Sequence, residues 1–376
     1  MIKTIGFVLE SNPFEDRKAW SGTYFKLREA IEMAGFKVIW IPCSMDRKKE
    51  ILLKLYYKLR YGRRTSISHT KACIKAMCKM VDLKLVRNCD ALITQWCGFP
   101  HYLGVDIPCI SLSDATYKLM ENYYWFGVHP HIIEEANEME RLGILAARIN
   151  IRASEWAAQS TINDYGADPK HTYVLEFGAN VDERDIVPII PYKQENDKLR
   201  VLFSGVDWHR KGATTAIETV EILNKRGVPA ELVMVGIRKI PEEYMGHPHV
   251  RSLGFLNKNN PEEYRQYVTA IQQCHIMLLP TRAECAGIVF CEAAAFGLPS
   301  YTYLTGGIGS YVVDGVNGFT LPLSASSQDF ADVIIDSITP EKQQDLHDGA
   351  LRMYQERLSW KAWAKRFREI VDKEFA

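Results

Sequence analysis

Residues Ile276–Tyr303 read IMLLPTRAECAGIVFCEAAAFGLPSYTY, and this stretch contains the local pattern that decides the fold. The four apolar residues Ile276–Leu279 are typical of a buried strand, and a polar, charged loop follows them. Gly287–Phe296 is almost wholly apolar, as expected for a buried helix, and Ser300–Tyr303 is a second strand after a turn. A strand, a helix and a further strand in this order form the unit of a parallel α/β sheet.

The same alternation extends along the whole chain and predicts two doubly wound, Rossmann-like halves of similar size. Tyr24–Ala34 and Ala213–Arg226 are predicted helices, each followed by a glycine that ends it. The strands predicted outside the opening stretch are Thr4–Leu9, Lys37–Ile41, Ala91–Gln95, Cys109–Leu112, Tyr173–Glu176, Arg200–Phe203 and Ala230–Val235.

A proline-containing, polar segment separates the two halves. The sequence DIVPIIPYKQENDK, residues 185–198, is typical of an interdomain linker. We therefore predict a first domain over 1–185, a linker over 186–198, a second domain over 199–356 and a C-terminal helix over about 357–376.

Composition limits the class of protein. The chain has 376 residues, 47% of them hydrophobic, with 46 basic and 46 acidic side chains, which excludes a disordered or fibrous protein and suggests two domains. The nine cysteines are odd in number and form no CxxC, so we expect a reducing cytosol and no zinc site. No apolar run is long enough for a membrane-spanning helix.

The balanced charge conceals an uneven distribution. Residues 47–87 carry 13 Lys and Arg against Glu50 and Asp82, a net charge of +11, and the rest of the chain compensates it. Two stretches, EILLKLYYKLRYGRR and KACIKAMCKM, mix apolar residues with Lys and Arg at helical spacing. Helices of that kind bind anionic membrane surfaces. A solvated helix face or a site for an anionic soluble acceptor would give the same pattern, whereas no nucleic-acid motif accompanies the charge.

Ligands of open α/β sheets bind where strands end and helices begin. The first such turn of interest is SGVDWHRKG, residues 204–212. Its Gly205 allows close approach of the backbone, and Arg210 and Lys211 place two cations beside a helix N-terminus, a combination that suits phosphate. A basic surface loop is the plainer explanation of this motif taken alone.

Two further turns carry candidate residues. Glu284 lies in the loop before the apolar helix, Gly287, Ile288 and Val289 supply its N-terminal N–H groups, and Glu292 lies inside it. A buried carboxylate requires a partner, which the vicinal hydroxyls of a polyhydroxylated ligand or an arginine would supply. The next strand is followed by Gly306 and Gly307, which a tight packing turn explains equally well.

Taken together, these motifs resemble the donor-binding half of the family 4 retaining glycosyltransferases, which have the GT-B fold. The resemblance covers about Arg200–Leu323 and rests on four features in the same order and spacing. These are Gly205 with Lys211-Gly212, the pair Glu284 and Glu292 in ECAGIVFCEAAAFGLP, Gly306-Gly307, and the segment VVDGVNGFTLP. The first half matches in architecture and in VLEFGANVDE, residues 174–183, so the resemblance implies two Rossmann-like domains facing a central cleft.

The resemblance also implies roles for individual residues. Lys211, Arg210 and the backbone at Gly287–Val289 would hold the diphosphate of a nucleotide-sugar donor, and Glu292 would accept hydrogen bonds from its ribose. Glu284 would lie against the donor sugar, and Gly306 and Gly307 would lie close to the sugar or the phosphates. The reaction would retain anomeric configuration and require no metal or other cofactor, and the acceptor would be a glycan or a lipid-linked sugar on the cytoplasmic side of a membrane. The basic segment 47–87 would contact that membrane.

Some positions depart from the family pattern. The family usually has Arg after the glycine matching Gly205, where this chain has Val206, and Arg210 would have to supply that charge. In place of the family's first-domain histidine we select Asp114, for which an N-cap is the alternative role, and His129 and His131 are treated as bystanders.

The turn Trp20-Ser21-Gly22-Thr23 resembles the family's glycine turn opposite the donor, and Gly22 is selected there. A nucleotide-sugar epimerase, a sugar phosphorylase or a catalytically degenerate binding subunit are the alternatives for the whole chain.

Overall fold

Short apolar strands alternating with helices form two separate parallel β-sheets in this protein, each covered by helices on both faces. The computed structural model describes residues 2–62, 66–95, 98–193 and 198–375. Arg63–Thr65 of the basic segment, Cys97 and residues 194–197 of the predicted linker therefore lie outside the described residues. The chain divides into one compact unit of residues 1–176 and 363–376 and a second unit of residues 177–362.

The first unit contains a six-stranded sheet in the order β2-β1-β3-β4-β5-β6, whose neighbouring strands pair in parallel. Its strands are β1 Thr4–Leu9, β2 Lys37–Pro42, β3 Ala91–Thr94, β4 Cys109–Ser113, β5 Ile149–Arg152 and β6 Thr172–Val174. Its helices are α1 Thr23–Met33, α2 Arg47–Tyr61, α3 Lys71–Cys78, α4 Leu83–Val86, α5 Phe99–Tyr102, α6 Tyr117–Met120, α7 Pro130–Ala146 and α8 Glu155–Asn163.

The second unit contains the other sheet, in the order β12-β11-β10-β7-β8-β9. Its strands are β7 Leu199–Ser204, β8 Ala230–Val235, β9 Val250–Ser252, β10 Ile276–Leu279, β11 Ser300–Tyr303 and β12 Gly318–Leu321. Its helices are α9 Ala213–Lys225, α10 Pro261–Gln272, α11 Ile288–Ala295, α12 Ser327–Ser337 and α13 Pro340–Met353. Strands β7 and β10 are neighbours at the point where the order of connections reverses, which is where ligands bind in open α/β sheets.

The C-terminal helix α14, Trp360–Glu374, lies mostly in the first unit. There Phe367 packs against Phe36 with ring centroids 5.7 Å apart, and Arg366 Nη1 donates to Glu176 Oε2 over 2.6 Å. An aromatic contact and a partly buried ion pair thus attach the end of the chain to the first sheet.

The predicted doubly wound halves are confirmed, and the differences lie in individual strands. Strand β5 was not predicted, because Arg152 interrupts its apolar pattern. That side chain is nevertheless fully buried, and Arg152 Nε donates to Thr161 Oγ1 over 2.8 Å. Strand β6 ends at Val174 rather than Glu176, and the short strands β9 and β12 also lack a distinct apolar run.

The two apolar stretches of the basic segment behave differently. In α3 the apolar residues Cys73, Ile74 and Met77 belong to the core of the first unit, so the expectation that this stretch offers an apolar face to a membrane is wrong. Helix α2 instead leaves several large apolar side chains exposed. Among the described residues, none of the helices has the length and apolarity needed to cross a bilayer.

Candidate active site

The candidate residues of the second unit lie on turns that leave the same edge of its sheet. Strands β7, β10 and β11 are parallel, so the loops after Ser204, Leu279 and Tyr303 emerge together at their carboxyl ends. The loop after β7 meets the loop after β10 directly, since the Arg282 N–H donates to the Arg210 carbonyl over 2.7 Å. The strand-to-helix turns selected from the sequence therefore form one site.

The loop Ser204–Gly212 is shaped by its own side chains. Asp207 Oδ1 accepts from the Arg210 N–H over 2.8 Å, and the Asp207 carbonyl accepts from the Lys211 N–H over 3.1 Å. Gly212 begins α9 with φ of 72°, and a Cβ at that position would lie 2.1 Å from the Pro280 carbonyl oxygen. Only glycine fits there, because both the left-handed backbone and the close approach exclude a side chain.

Lys211 and Glu284 form an ion pair at the centre of this edge. Lys211 Nζ donates to Glu284 Oε2, and the side chains are only 8% and 12% exposed. Arg210 Nη1 lies 4.0 Å from the same carboxylate oxygen and donates to the Ala283 carbonyl over 3.0 Å. Two cations thus converge on one carboxylate in a largely desolvated position, where electrostatic interactions are strong.

Gly205 controls the position of Lys211. A Cβ at Gly205 would lie 2.8 Å from Lys211 Cγ and 3.1 Å from its Cβ, so the lysine stem runs across the bare glycine backbone. A side chain here would push Lys211 away from Glu284. The glycine is therefore needed for space beside a functional side chain.

The N-terminus of α11 is directed to the same region of the loop. Gly287 precedes the helix without a side-chain cap, and the Ile288 N–H donates to the Ala286 carbonyl over 3.0 Å. Within the described part of the chain, the N–H groups of Gly287 and Val289 donate to no backbone carbonyl. Two of the three predicted anion-binding N–H groups are thus available, and the helix dipole adds to them.

Glu292 is buried to 1% exposure and shares its two oxygens between two partners that the sequence did not reveal. Lys258 Nζ donates to Oε1 over 2.5 Å, and the Tyr267 hydroxyl donates to Oε2. Burial and the Glu292 charge raise the pKa of Tyr267, so its hydroxyl remains a donor. Lys258 Nζ also lies 4.2 Å from the centroid of the Tyr267 ring. Each carboxylate oxygen has a further lone pair, which leaves Glu292 able to accept from ligand hydroxyls.

The glycine turn after β11 is tied to Glu284. The Gly307 N–H donates to the Glu284 carbonyl over 3.0 Å, and Gly306 has φ of 54°. The turn therefore fixes the backbone that carries the carboxylate. Val206, at the position where the resemblance leads one to expect Arg, is 62% exposed and supplies no charge.

Gly22 and Asp114 are the two candidates of the first unit. Gly22 precedes α1 with φ of 87°, and the Tyr24 hydroxyl, two residues later, donates to Gln95 Oε1. Burial raises the pKa of Tyr24, and the charges of Asp114 and Glu10 raise it further. Asp114 is not the cap of the following helix, because Thr116 is the N-cap of α6.

The remaining histidines and cysteines considered in the sequence form no further candidate site among the described residues. His129 Nδ1 accepts from the His131 N–H over 3.2 Å at the start of α7, and both imidazoles pack on Tyr61, which supports their treatment as bystanders. The cysteines within the described residues are free thiols. No group of three or more His, Cys, Asp or Glu among the described residues is arranged to hold a metal ion.

Comparison with known proteins finds relatives of the second half of the chain. Residues 190–350 match the family described as Glycosyl transferases group 1, so this part of the chain is similar to that family. D-inositol 3-phosphate glycosyltransferase of Corynebacterium aurimucosum is 28% identical over 228 residues, which cover 56% of this chain and 53% of that protein. The chain spans about half the length of the curated relatives it matches.

Solved structures extend the likeness to the whole fold. Sucrose-phosphate synthase of Thermosynechococcus elongatus superposes with a TM-score of 0.69 at 17% identity, over 99% of both chains. HepE of Anabaena, in complex with UDP and glucose, gives 0.62 at 15% identity, over 99% of this chain and 100% of the other. The two parallel six-stranded sheets are those of the two-domain, Rossmann-like GT-B fold.

Proposed function

We propose that this protein is a glycosyltransferase that moves a sugar from a nucleoside diphosphate sugar to a glycan or lipid-linked acceptor. One observation carries the proposal. Lys211, Glu284 and the N-terminus of α11 meet at the switch point of the sheet, within the part of the chain that matches the group 1 glycosyltransferases. Cations beside free backbone N–H groups suit a diphosphate, and a carboxylate beside them suits the hydroxyls of a sugar.

The site supplies the interactions that a departing diphosphate requires. Negative charge develops on the β-phosphate as the glycosidic bond breaks, and Lys211, Arg210 and the N–H groups of Gly287 and Val289 would stabilise it. Because these donors are already held in place, their contribution to catalysis is large, typically about 3 kcal/mol or 100-fold in rate for one contact. The Glu284 pair keeps Lys211 oriented before the donor arrives.

Nucleoside recognition would involve Glu292. In the proposed complex the ribose hydroxyls donate to this carboxylate and take the place of Lys258, whose side chain is 30% exposed. Tyr267 would stay bound and hold the carboxylate in position. HepE, which binds UDP and glucose in its solved complex, supports a nucleotide in this fold without fixing the base for this chain.

Several finer features belong to the same proposal. The transfer retains anomeric configuration and proceeds without a metal, with Gly22 and Asp114 serving the acceptor side of the reaction. The acceptor belongs to cell-surface polysaccharide or glycolipid synthesis at the cytoplasmic face of a membrane, which the basic segment 47–87 contacts peripherally. The charge of that segment supports the membrane contact.

Donor binding and turnover test the proposal separately. A thermal-shift screen with UDP, GDP, ADP and CDP should show one nucleotide that stabilises the protein by about 2.7 kcal/mol at 100 times its Kd. Release of that nucleotide from its sugar conjugate should then fall about 100-fold in Lys211→Met, and NMR of the product gives its anomeric configuration. Exposed Lys225→Met, with the same chemical change, serves as the matched control. Unchanged turnover in both Lys211→Met and Glu284→Gln would contradict the assignment.

A further inference from the structure

Helix α2, Arg47–Tyr61, packs on the first unit through only one of its faces. Tyr57 is buried with Ile67 and Ile132, and Leu53 and Tyr61 pack against the same small cluster. These three α2 residues are four apart and therefore share one side of the helix. The opposite side faces away from the core.

The outward face of α2 is apolar. Five large side chains on it are between 51% and 79% exposed, and at 3.6 residues per turn they occupy an arc of about 140°. They are Ile51, Leu52, Leu55, Tyr56 and Leu59. Within α2, all of which is described, Lys48 in the first turn is the one charged residue in that arc. A continuous apolar face of this kind on a soluble unit normally marks an interaction surface.

Basic residues border the apolar face on both sides. Helical spacing places Arg47, Lys54 and Lys58 along one border and Lys49 and Arg60 along the other. The single acidic residue of the helix, Glu50, is paired with Lys54. An apolar arc between two basic borders is the arrangement of helices that lie in the boundary between lipid headgroups and acyl chains.

The charge decides between possible partners. A second copy of this chain packed face to face would bring basic borders against basic borders, which is repulsive. A soluble polyanion would pair with the Lys and Arg side chains but leave Leu55 and Leu59 in water. An anionic bilayer satisfies both, because its headgroups meet the borders and its hydrocarbon receives the apolar side chains.

We infer that α2 is an interfacial helix that inserts Ile51, Leu52, Leu55, Tyr56 and Leu59 into an anionic lipid bilayer. The proposed function has the whole basic segment 47–87 contact the membrane, whereas this inference assigns the contact to α2 alone. It also has apolar side chains enter the bilayer, in addition to the attraction between basic residues and anionic headgroups. Only its purpose, delivery of the enzyme to a membrane acceptor, rests on the proposed function. Lys54 and Lys58 also line a cavity of about 1190 Å³ with Glu10, Trp125 and Phe126, so the helix brings that cavity to the lipid surface.

Cosedimentation of the full chain with vesicles tests the inference. The wild type should bind vesicles of phosphatidylcholine with about one-third phosphatidylglycerol and bind pure phosphatidylcholine much more weakly. Leu55→Ser/Leu59→Ser should lower the affinity for the mixed vesicles about 10-fold or more, because two inserted side chains are lost. The matched control Val187→Ser/Ile190→Ser removes two side chains of similar exposure, 59% and 78%, from the second unit and should bind as the wild type does.

Three results would overturn the inference. Equal binding by Leu55→Ser/Leu59→Ser and the wild type would show adsorption without insertion, and equal binding to both vesicle types would exclude charge selection. A dimer that Leu55→Ser/Leu59→Ser converts to a monomer would identify a second copy as the partner. Stabilisation by the nucleotide is measured in the same variants and should not change, so failure of membrane binding remains distinct from failure of the proposed transferase.

Discussion

The pairs Lys211–Glu284 and Lys54–Glu50 have the same chemistry in opposite surroundings. The first joins two loops of the second unit, and its side chains are 8% and 12% exposed. The second joins neighbouring turns of α2, with side chains 61% and 39% exposed. In a buried pair the attraction is little screened by water, and loss of one partner leaves an uncompensated buried charge, whereas an exposed pair contributes little and is screened by salt.

The regions around the pairs differ in the same way. The loop Ser204–Gly212 places its two cations against a carboxylate and a helix N-terminus, so its charge is directed to one small volume. Helix α2 distributes its cations along two borders of an exposed apolar face. A count of charges treats both regions as basic, but burial and neighbouring groups show that the first suits a compact anion and the second an extended surface.

The largest expected effect concerns the stability of the buried pair. Lys211→Met leaves Glu284 buried with the Arg210 guanidinium 4.0 Å away, and should lower the free energy of unfolding by about 3 kcal/mol. Lys54→Met should change it by less than about 0.5 kcal/mol. Urea unfolding monitored by circular dichroism measures both.

The double variant Lys211→Met/Glu284→Gln separates stability from activity. It removes both charges and should recover much of the lost stability, while nucleotide-sugar turnover stays about 100-fold low. If Lys211→Met and Lys54→Met both lowered the free energy of unfolding only slightly, solvent would have to screen the Lys211–Glu284 pair as it does the exposed pair. The two pairs would then not differ in strength.

Substitution of one glycine beside Lys211 and one at the end of α2 compares the two regions a second time. Gly205→Ala should lower turnover about 10-fold or more, because the added Cβ lies 2.8 Å from Lys211 Cγ and displaces the amino group. Gly62→Ala, at the end of α2, meets no atom within 4 Å but has φ of 91°, so it should cost about 1 kcal/mol of stability and leave turnover unchanged. Steady-state kinetics with thermal unfolding distinguishes them. Normal turnover in Gly205→Ala would show that the lysine stem can move without loss.

Much of the fold was predictable because strand signals are local. Strand β10 is apolar throughout, β7 and β8 contain the apolar runs VLF and LVMV, and the aromatic strand β11 follows a turn, so all four were placed within two residues of their observed ends. Strand β5 was missed because its Arg152 is buried through hydrogen bonds to Thr161 and to Ser111, which lies 41 residues earlier, and no local pattern reveals such partners. The sequences of α2 and α3 both mix apolar and basic residues, so the sequence predicted the same membrane-facing role for both. They differ because the apolar residues of α3 pack into the core, and only tertiary packing decides which apolar face is covered.

The sequence also predicted those residues of the candidate site that lie where strands end and helices begin. Lys211 and Glu284 lie in loops that follow strands, and Glu292 lies inside the helix after the second of those loops. The topology of a parallel sheet brings such positions together. Lys258 and Tyr267 were missed because they lie before and within α10, where no motif marks them, and their role arises from contact with Glu292 across 34 and 25 residues. A lysine and a tyrosine in an ordinary amphipathic stretch give no local indication of such a partner.

Ionic strength should weaken ligand binding at the two regions to different extents, although the difference is smaller than those above. Raising NaCl through the range in which the Debye length falls from about 10 Å to 3 Å should weaken binding to anionic vesicles about 10-fold, since the borders of α2 are exposed. Nucleotide affinity should fall only about 2- to 3-fold, because Lys211 is largely shielded from solvent. Calorimetric titrations at several salt concentrations measure both. Parallel losses would indicate that donor binding also depends on exposed charge.

The smallest expected effect is the loss of an apolar side chain from α2 in water. Leu59 is 79% exposed, so Leu59→Ser should change the free energy of unfolding by less than about 0.5 kcal/mol, whereas Ile74→Ala in the adjacent α3, at 0% exposure, should cost about 2 to 5 kcal/mol. Urea unfolding without lipid makes the comparison. A large loss in Leu59→Ser would reveal a partner for this face within the chain itself, and α2 would then be stabilised like α3. A near-zero change shows that the outward face of α2 contributes nothing to folding, which leaves binding as the physical reason for its five exposed apolar side chains.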